Sequence, residues 1–109
     1  MAYVPERGDA VWIDLTPQAG HEQAGRRPAI VLSPISYNAK TGLAIFSPIT
    51  NKVKGYPFEV PVPGQLEVSG VVLSDQVKCL DWKARHAERI VHLPQSVTDE
   101  VLKKLKLLL

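Results

Sequence analysis

Only one segment of this chain, Ser96 to Leu109, repeats its apolar residues at helical spacing. Val97, Val101, Leu105 and Leu108 form a stripe that Leu102 and Leu109 widen. Ser96 is placed to cap that helix with Asp99 in a capping-box position, and Lys103, Lys104 and Lys106 come late, where they suit the helix dipole. Everything before it is cut by nine prolines and seven glycines into short runs. In Ala10–Leu15, Val11, Ile13 and Leu15 alternate with Ala10, Trp12 and Asp14, which predicts a strand with one buried face. Further strands are predicted over Pro28–Leu32, Leu43–Phe46, Phe58–Val62, Val71–Leu73, Gln76–Leu80 and Ala87–Leu93. A helix of two turns or fewer, Ile35–Lys40, follows Ser33-Pro34, which reads as N-cap and first helical residue. A mainly β chain of six or seven short strands with one terminal helix fits a small antiparallel barrel, its long loops gathered at the barrel's ends.

The 109 residues make a single domain, 1–109, with one core. A net charge of +2, from 13 basic and 11 acidic residues, is too weak to argue for nucleic acid, so a local patch would have to do it. Cys79 is the one cysteine; it excludes an internal disulfide, and its apolar flanks suggest a reduced, structural thiol in a cytoplasmic protein. No apolar run reaches membrane-spanning length. His21, His86 and His92 are scattered and Cys79 has no cysteine partner, so no metal site and no cofactor is expected.

What chemistry the chain offers lies where polar residues leave strands. In the stretch Glu22 to Pro34, a polar, glycine-containing loop ends in Arg26 and Arg27, at the mouth of the Pro28–Leu32 strand. The guanidinium fork matches phosphate oxygens and keeps its charge. A second basic loop, Asn51 to Tyr56, carries Lys52 and Lys54 beyond Thr50. With the Ser74-Asp75-Gln76 step, these residues would make a cationic pocket able to hold a phosphodiester and to stabilise charge building up at phosphorus. In RNA the 2′-hydroxyl supplies an internal nucleophile. Composition and spacing permit a nuclease and do not demand one.

The run Glu22-Gln23-Ala24-Gly25-Arg26-Arg27-Pro28, continued by Ala29-Ile30-Val31-Leu32-Ser33-Pro34, resembles the MazF/PemK (ChpB-like) toxin family. So do Gly8-Asp9 leading into Trp12-Ile13-Asp14, Pro48-Ile49-Thr50 with Lys54-Gly55-Tyr56-Pro57-Phe58-Glu59-Val60, and Leu73-Ser74-Asp75-Gln76-Val77-Lys78. The blocks keep family order and span most of the chain. The resemblance implies an SH3-like barrel of the PemK/CcdB type that forms a homodimer, and the toxin half of a type II toxin–antitoxin pair. It implies a metal-independent endoribonuclease that cuts single-stranded RNA, chiefly mRNA, at short motifs, leaving a 2′,3′-cyclic phosphate and a 5′-hydroxyl. An acidic, MazE-like antitoxin would block the RNA groove. By position, Arg27 matches the family's catalytic arginine and Thr50 its catalytic threonine; Glu22 lies in the active-site loop as a base or as a positioner of Arg27. Gln23, Arg26, Lys54 and Gln76 are the RNA contacts implied. His21 has the pKa suited to proton transfer, although the family motif does not need it.

The sequence also admits three rival readings. A CcdB-like gyrase poison would share the barrel without needing Arg27 and Thr50. A non-catalytic RNA-binding barrel would have no cleavage to lose. A structural interaction module would leave the two polar loops unexplained.

Overall fold

The computed structural model describes residues 3–15, 25–64 and 66–109; Glu22, Gln23 and His21 lie outside the described residues. Seven strands and two helices follow in the order β1 (Asp9–Asp14), β2 (Arg26–Val31), α1 (Ile35–Thr41), β3 (Leu43–Thr50), β4 (Glu59–Pro61), β5 (Val71–Leu73), β6 (Lys78–Asp81), β7 (Glu88–His92) and α2 (Gln95–Lys106). All pair antiparallel in one sheet, β4-β5-β3-β2-β1-β7, with β6 also on β3. The expected mainly β fold with a terminal helix is present. Its barrel is an open one, since β4 and β7 end the path without pairing to each other.

The strands feed two clusters from their two faces. Ala10, Ile30, Ile49, Val60, Val72 and Leu93 meet Val97 and Val101 of α2 in one cluster. Val11, Ile13, Ala29, Val31, Ala44, Phe46 and Trp82 form the other. Successive residues of β1 and β2 therefore enter opposite clusters, as the period of two requires. The expectation of a one-sided β1 is corrected in part: Ala10 is as fully buried as Val11, while Trp12, 43% exposed, and Asp14 open the rest of that face to solvent.

Several element boundaries differ from those expected. β2 starts at Arg26, so both arginines sit on the strand rather than in the loop before it. β3 continues through Ser47-Pro48-Ile49-Thr50, because the chain there exchanges its neighbours instead of leaving the sheet. Neither helix has the predicted side-chain cap. α1 begins after Pro34, and Ser33 instead donates to Asn38 Oδ1 and accepts from the Ile45 amide. α2 begins at Gln95, and Asp99 accepts from the Gln95 side chain. Cys79, expected among apolar neighbours as a structural thiol, is exposed on β6, with the Tyr37 hydroxyl 3.9 Å away. Neither helix is long and apolar enough to cross a membrane.

Candidate active site

β2 and β3 pair through Val31–Phe46, Ile30–Ser47 and Ala29–Pro48, and there the pairing stops. Proline has no amide proton to give to a ladder, and Pro28 and Pro48 both stand at this point. Beyond it β3 turns to β5, with Ile49 opposite Val72 and Thr50 opposite Val71. Carrying the β2–β3 register two residues further sets Arg27 opposite Thr50, on the face shared by Ala29 and Pro48. The strands no longer pair there, and both residues line a cleft.

That cleft is a concavity of about 300 Å³ lined by Trp12, Arg26, Arg27, Pro28, Thr50 and Lys52, among others. On the far side of β3 lies a second, of about 420 Å³, with Thr50, Lys52, Lys54, Tyr56, Asp75 and Gln76 in its wall. Thr50 and Lys52 border both, so the groove at the end of β3 consists of two adjoining hollows. Four of its side chains, Arg26, Arg27, Lys52 and Lys54, carry positive charge.

Thr50 is 5% exposed, and its Oγ1 accepts the Lys52 amide at 3.1 Å. That bond occupies a lone pair and leaves the hydroxyl proton for an acceptor in the groove. Arg27 is partly buried at the start of β2, so its backbone is fixed by the β1 pairing to Ile13. Arg26 is held differently. Its guanidinium donates to Glu88 at 2.6 Å, to the His86 carbonyl at 2.9 Å and to Asp14 at 3.4 Å. The hydrogen bond from His86 keeps the Asp14 carboxyl below its usual range; desolvation opposes it, and the hydrogen bond and charge of Arg26 add to the lowering.

Residues 6–109 match the family described as PemK-like, MazF-like toxin of type II toxin–antitoxin system. The chain belongs to this toxin family. The endoribonuclease toxin MazF of Escherichia coli K12 is 55% identical over 87 residues, 80% of this chain and 78% of that protein. The endoribonuclease toxin ChpB of the same strain is 41% identical over 106 residues, 93% and 90% of the two chains. The crystal structure of MazF from Deinococcus radiodurans superposes with a TM-score of 0.95 at 55% identity, covering 98% of this chain and 97% of that one. A MazE–MazF structure from that organism matches with a TM-score of 0.87 at 48% identity, over 98% and 96%.

Of the residues that the family motif singles out, Arg27, Thr50, Arg26, Lys54 and Gln76 all reach the groove; Glu22 and Gln23 are the two whose positions are not described. Sequence reading missed three contributors. Tyr56 and Glu59 line the larger concavity, and Trp12 the smaller. Their signal was weak: an exposed aromatic and a strand-end acid look ordinary until the strands are assembled.

One further cluster joins residues far apart in sequence. Asp9, 3% exposed, accepts from the Tyr3 hydroxyl, the Glu6 amide at 3.2 Å and His92 Nδ1 at 2.8 Å, with Arg89 Nε at 3.7 Å. Glu6, Asp9 and His92 have the spacing to hold a metal ion, which the scattered histidines had not suggested. The donors around Asp9 make it a clamp on the chain's N-terminal segment and on β7. Burial, then the hydrogen bond and charge of Asp9, pushes the Tyr3 phenol well above its ordinary pKa.

Proposed function

We propose that this protein is the toxin of a type II toxin–antitoxin pair and cuts single-stranded RNA, chiefly mRNA, in the cytoplasm by attack of the 2′-hydroxyl on the adjacent phosphorus. The observation that carries this reading is the placing of Arg27 and Thr50 on one face, at the point where β2 and β3 part over a cationic groove. Arg27 grips the non-bridging phosphate oxygens and stabilises the pentacoordinate transition state, where negative charge builds up. The Thr50 hydroxyl, with its lone pair engaged by the Lys52 amide, donates to a non-bridging oxygen or orients the 2′-hydroxyl. The bond from the 2′-oxygen to phosphorus forms as the bond to the 5′-oxygen breaks. The 2′-hydroxyl proton passes to a base and the departing 5′-oxygen gains a proton, giving a 2′,3′-cyclic phosphate and a 5′-hydroxyl.

An arginine with a pKa above ~12 is a poor base. We assign that role, or the positioning of Arg27, to Glu22, with Arg27 aiding proton delivery to the 5′-oxygen. Gln23, Arg26, Lys54 and Gln76 contact the RNA. The working form is a homodimer, and its inhibitor is an acidic, MazE-like antitoxin laid over the groove.

The test is cleavage of a long single-stranded RNA in EDTA by wild type beside Arg27→Ala, with the ends mapped. Cutting at one recurrent short motif by wild type alone, with 5′-hydroxyl ends, supports the reading. Cutting by Arg27→Ala at the wild-type rate sinks the assignment of Arg27. Loss of cutting in EDTA that a divalent ion restores sinks the metal-independent mechanism. No cutting by a folded wild-type protein moves the weight to gyrase inhibition or to RNA binding without cleavage.

A further inference from the structure

Residues 51 to 57 form one wall of the groove, and every one of them is exposed. A segment with no buried side chain holds its shape only through polar bonds. Lys52 and Val53 donate their amides to Thr50 Oγ1 and to the Asn51 carbonyl. The next two amides, those of Lys54 and Gly55, both go to one side chain, Glu59. Lys54 N donates to Glu59 Oε2 and Gly55 N to Oε1, each at 3.0 Å.

Gly55 has φ +80°, a left-handed conformation. Successive N–H groups turned that way form a concave nest for an anion. Here the anion is internal. Glu59 is only 7% exposed, and a buried carboxylate is tolerated when its oxygens are hydrogen-bonded. Glu59 is itself anchored on three sides. It pairs with Leu73 of β5, its amide donates to the Tyr56 carbonyl at 3.1 Å, and its carbonyl accepts Lys104 Nζ of α2 at 3.0 Å. The side chains carried by the held segment are the ones that face RNA in the proposed reaction. Lys54 Nζ stands 5.8 Å from the centre of the Tyr56 ring, and both line the larger concavity.

We infer that Glu59 is a positioning residue: its carboxylate fills the nest of Lys54 and Gly55 and thereby sets Lys54 as a phosphate contact and Tyr56 as a platform for a base. This rests on the RNA-cleaving reading above. Glu59 acts through Lys54 and Tyr56: both of its carboxylate oxygens are taken up by the Lys54 and Gly55 amides, and it does not line the hollow that holds Arg27. Its removal therefore loosens RNA binding and leaves the chemical step at Arg27 and Thr50 intact.

The test compares wild type, Glu59→Gln, Lys54→Ala and the double variant on one RNA. Cleavage is measured on the RNA itself, and affinity on the same RNA carrying a 2′-deoxy sugar at the cut site, across a series of KCl concentrations. Glutamine keeps the shape of the side chain but turns an N–H group toward one of the two amides. Glu59→Gln raises KM roughly tenfold with kcat within about twofold, as expected for one lost contact, and flattens the salt dependence by about 0.7 in slope, the value of one phosphate on a single strand. Lys54→Ala does the same, and the double variant adds little further. Wild-type KM and slope in a folded Glu59→Gln protein overturn the inference, as do a fall in kcat at unchanged KM and effects that add fully in the double variant. If Glu59→Gln does not fold, Lys54→Ala decides: an unchanged salt slope overturns the inference. If wild type itself does not cut, the failure belongs to the ribonuclease reading.

Discussion

Gly70 lies against the backbone of Thr50, so that a β-carbon on Gly70 would overlap the Thr50 carbonyl oxygen and stand 2.7 Å from its carbonyl carbon. Gly70 also has φ +107°, which L side chains rarely adopt. Its own carbonyl accepts the Val62 amide at 2.9 Å, which fixes it to the chain after β4. Gly70 thus lets the two backbones approach closely at the residue that carries the Thr50 hydroxyl. Gly70→Ala is expected to destabilise the fold by about 1–3 kcal/mol from backbone strain. It should also cut activity at least tenfold in the fraction that stays folded. Thermal melting beside single-turnover cleavage checks both; wild-type turnover in a folded Gly70→Ala protein contradicts the second.

Thr50→Val keeps shape and branching and removes only the hydroxyl. It is expected to lower the single-turnover rate by about 10²–10³, the range for losing one donor to a developing oxyanion. The Lys52 amide also loses its acceptor. A small fall in melting temperature should accompany the change without accounting for it.

The two adjacent arginines should behave very differently. Arg26 is engaged with Glu88, Asp14 and the His86 carbonyl, at an exposed site where ion pairs contribute about 0–1 kcal/mol. Arg26→Ala is expected to reduce cleavage by severalfold at most, whereas Arg27→Lys, which keeps the charge and loses the planar fork, should reduce it at least tenfold. Side-by-side rates on one RNA decide this. An Arg26→Ala loss as large as that of Arg27→Lys would mean that Arg26 shares the transition state.

Tyr3 gives the fold an alkaline weakness. The folded chain holds the Tyr3 proton well above the ordinary value of 10.0, because the phenol is partly buried and bonded to Asp9. Above pH 10 the unfolded chain releases that proton while the folded chain keeps it. The contribution is complete below pH 10 and declines as pH rises beyond it. Tyr3→Phe should destabilise the protein by about 1 kcal/mol at pH 8, as for a typical hydrogen bond. The gap between variant and wild type should narrow as pH rises from 10. Denaturant titrations across that range measure it, and a constant gap would refute the linkage.

Much of this was legible in the chain itself, for reasons that particular residues make clear. Val11, Ile13 and Leu15 announced β1, and the Val97–Val101–Leu105 stripe announced α2, because a single periodicity ran through each. The proposal of Arg27 and Thr50 as a pair came from the blocks around them, and both line one cleft. The extent of β3 was not, since Pro48 ordinarily ends a strand; here the proline falls where β3 gives up β2 for β5. The caps failed at Ser33 and Ser96 because tertiary partners took up the first and a proline preceded the second helix. Glu59 could not be found from sequence, since an acid at a strand end is usually solvated, and only the fold brings the Lys54 and Gly55 amides onto it.

The groove divides its labour between two kinds of structure. Arg27 and Thr50 ride on strands whose faces are packed in two cores, so changing their surroundings disturbs the fold. Residues 51 to 57 add nothing to either core. On the proposed function, the chemistry is therefore locked to stability, while the wall that meets the bases is free to change. Such a chain can acquire new RNA targets by substitutions in that wall, provided that Gly55 and Glu59 stay to hold it.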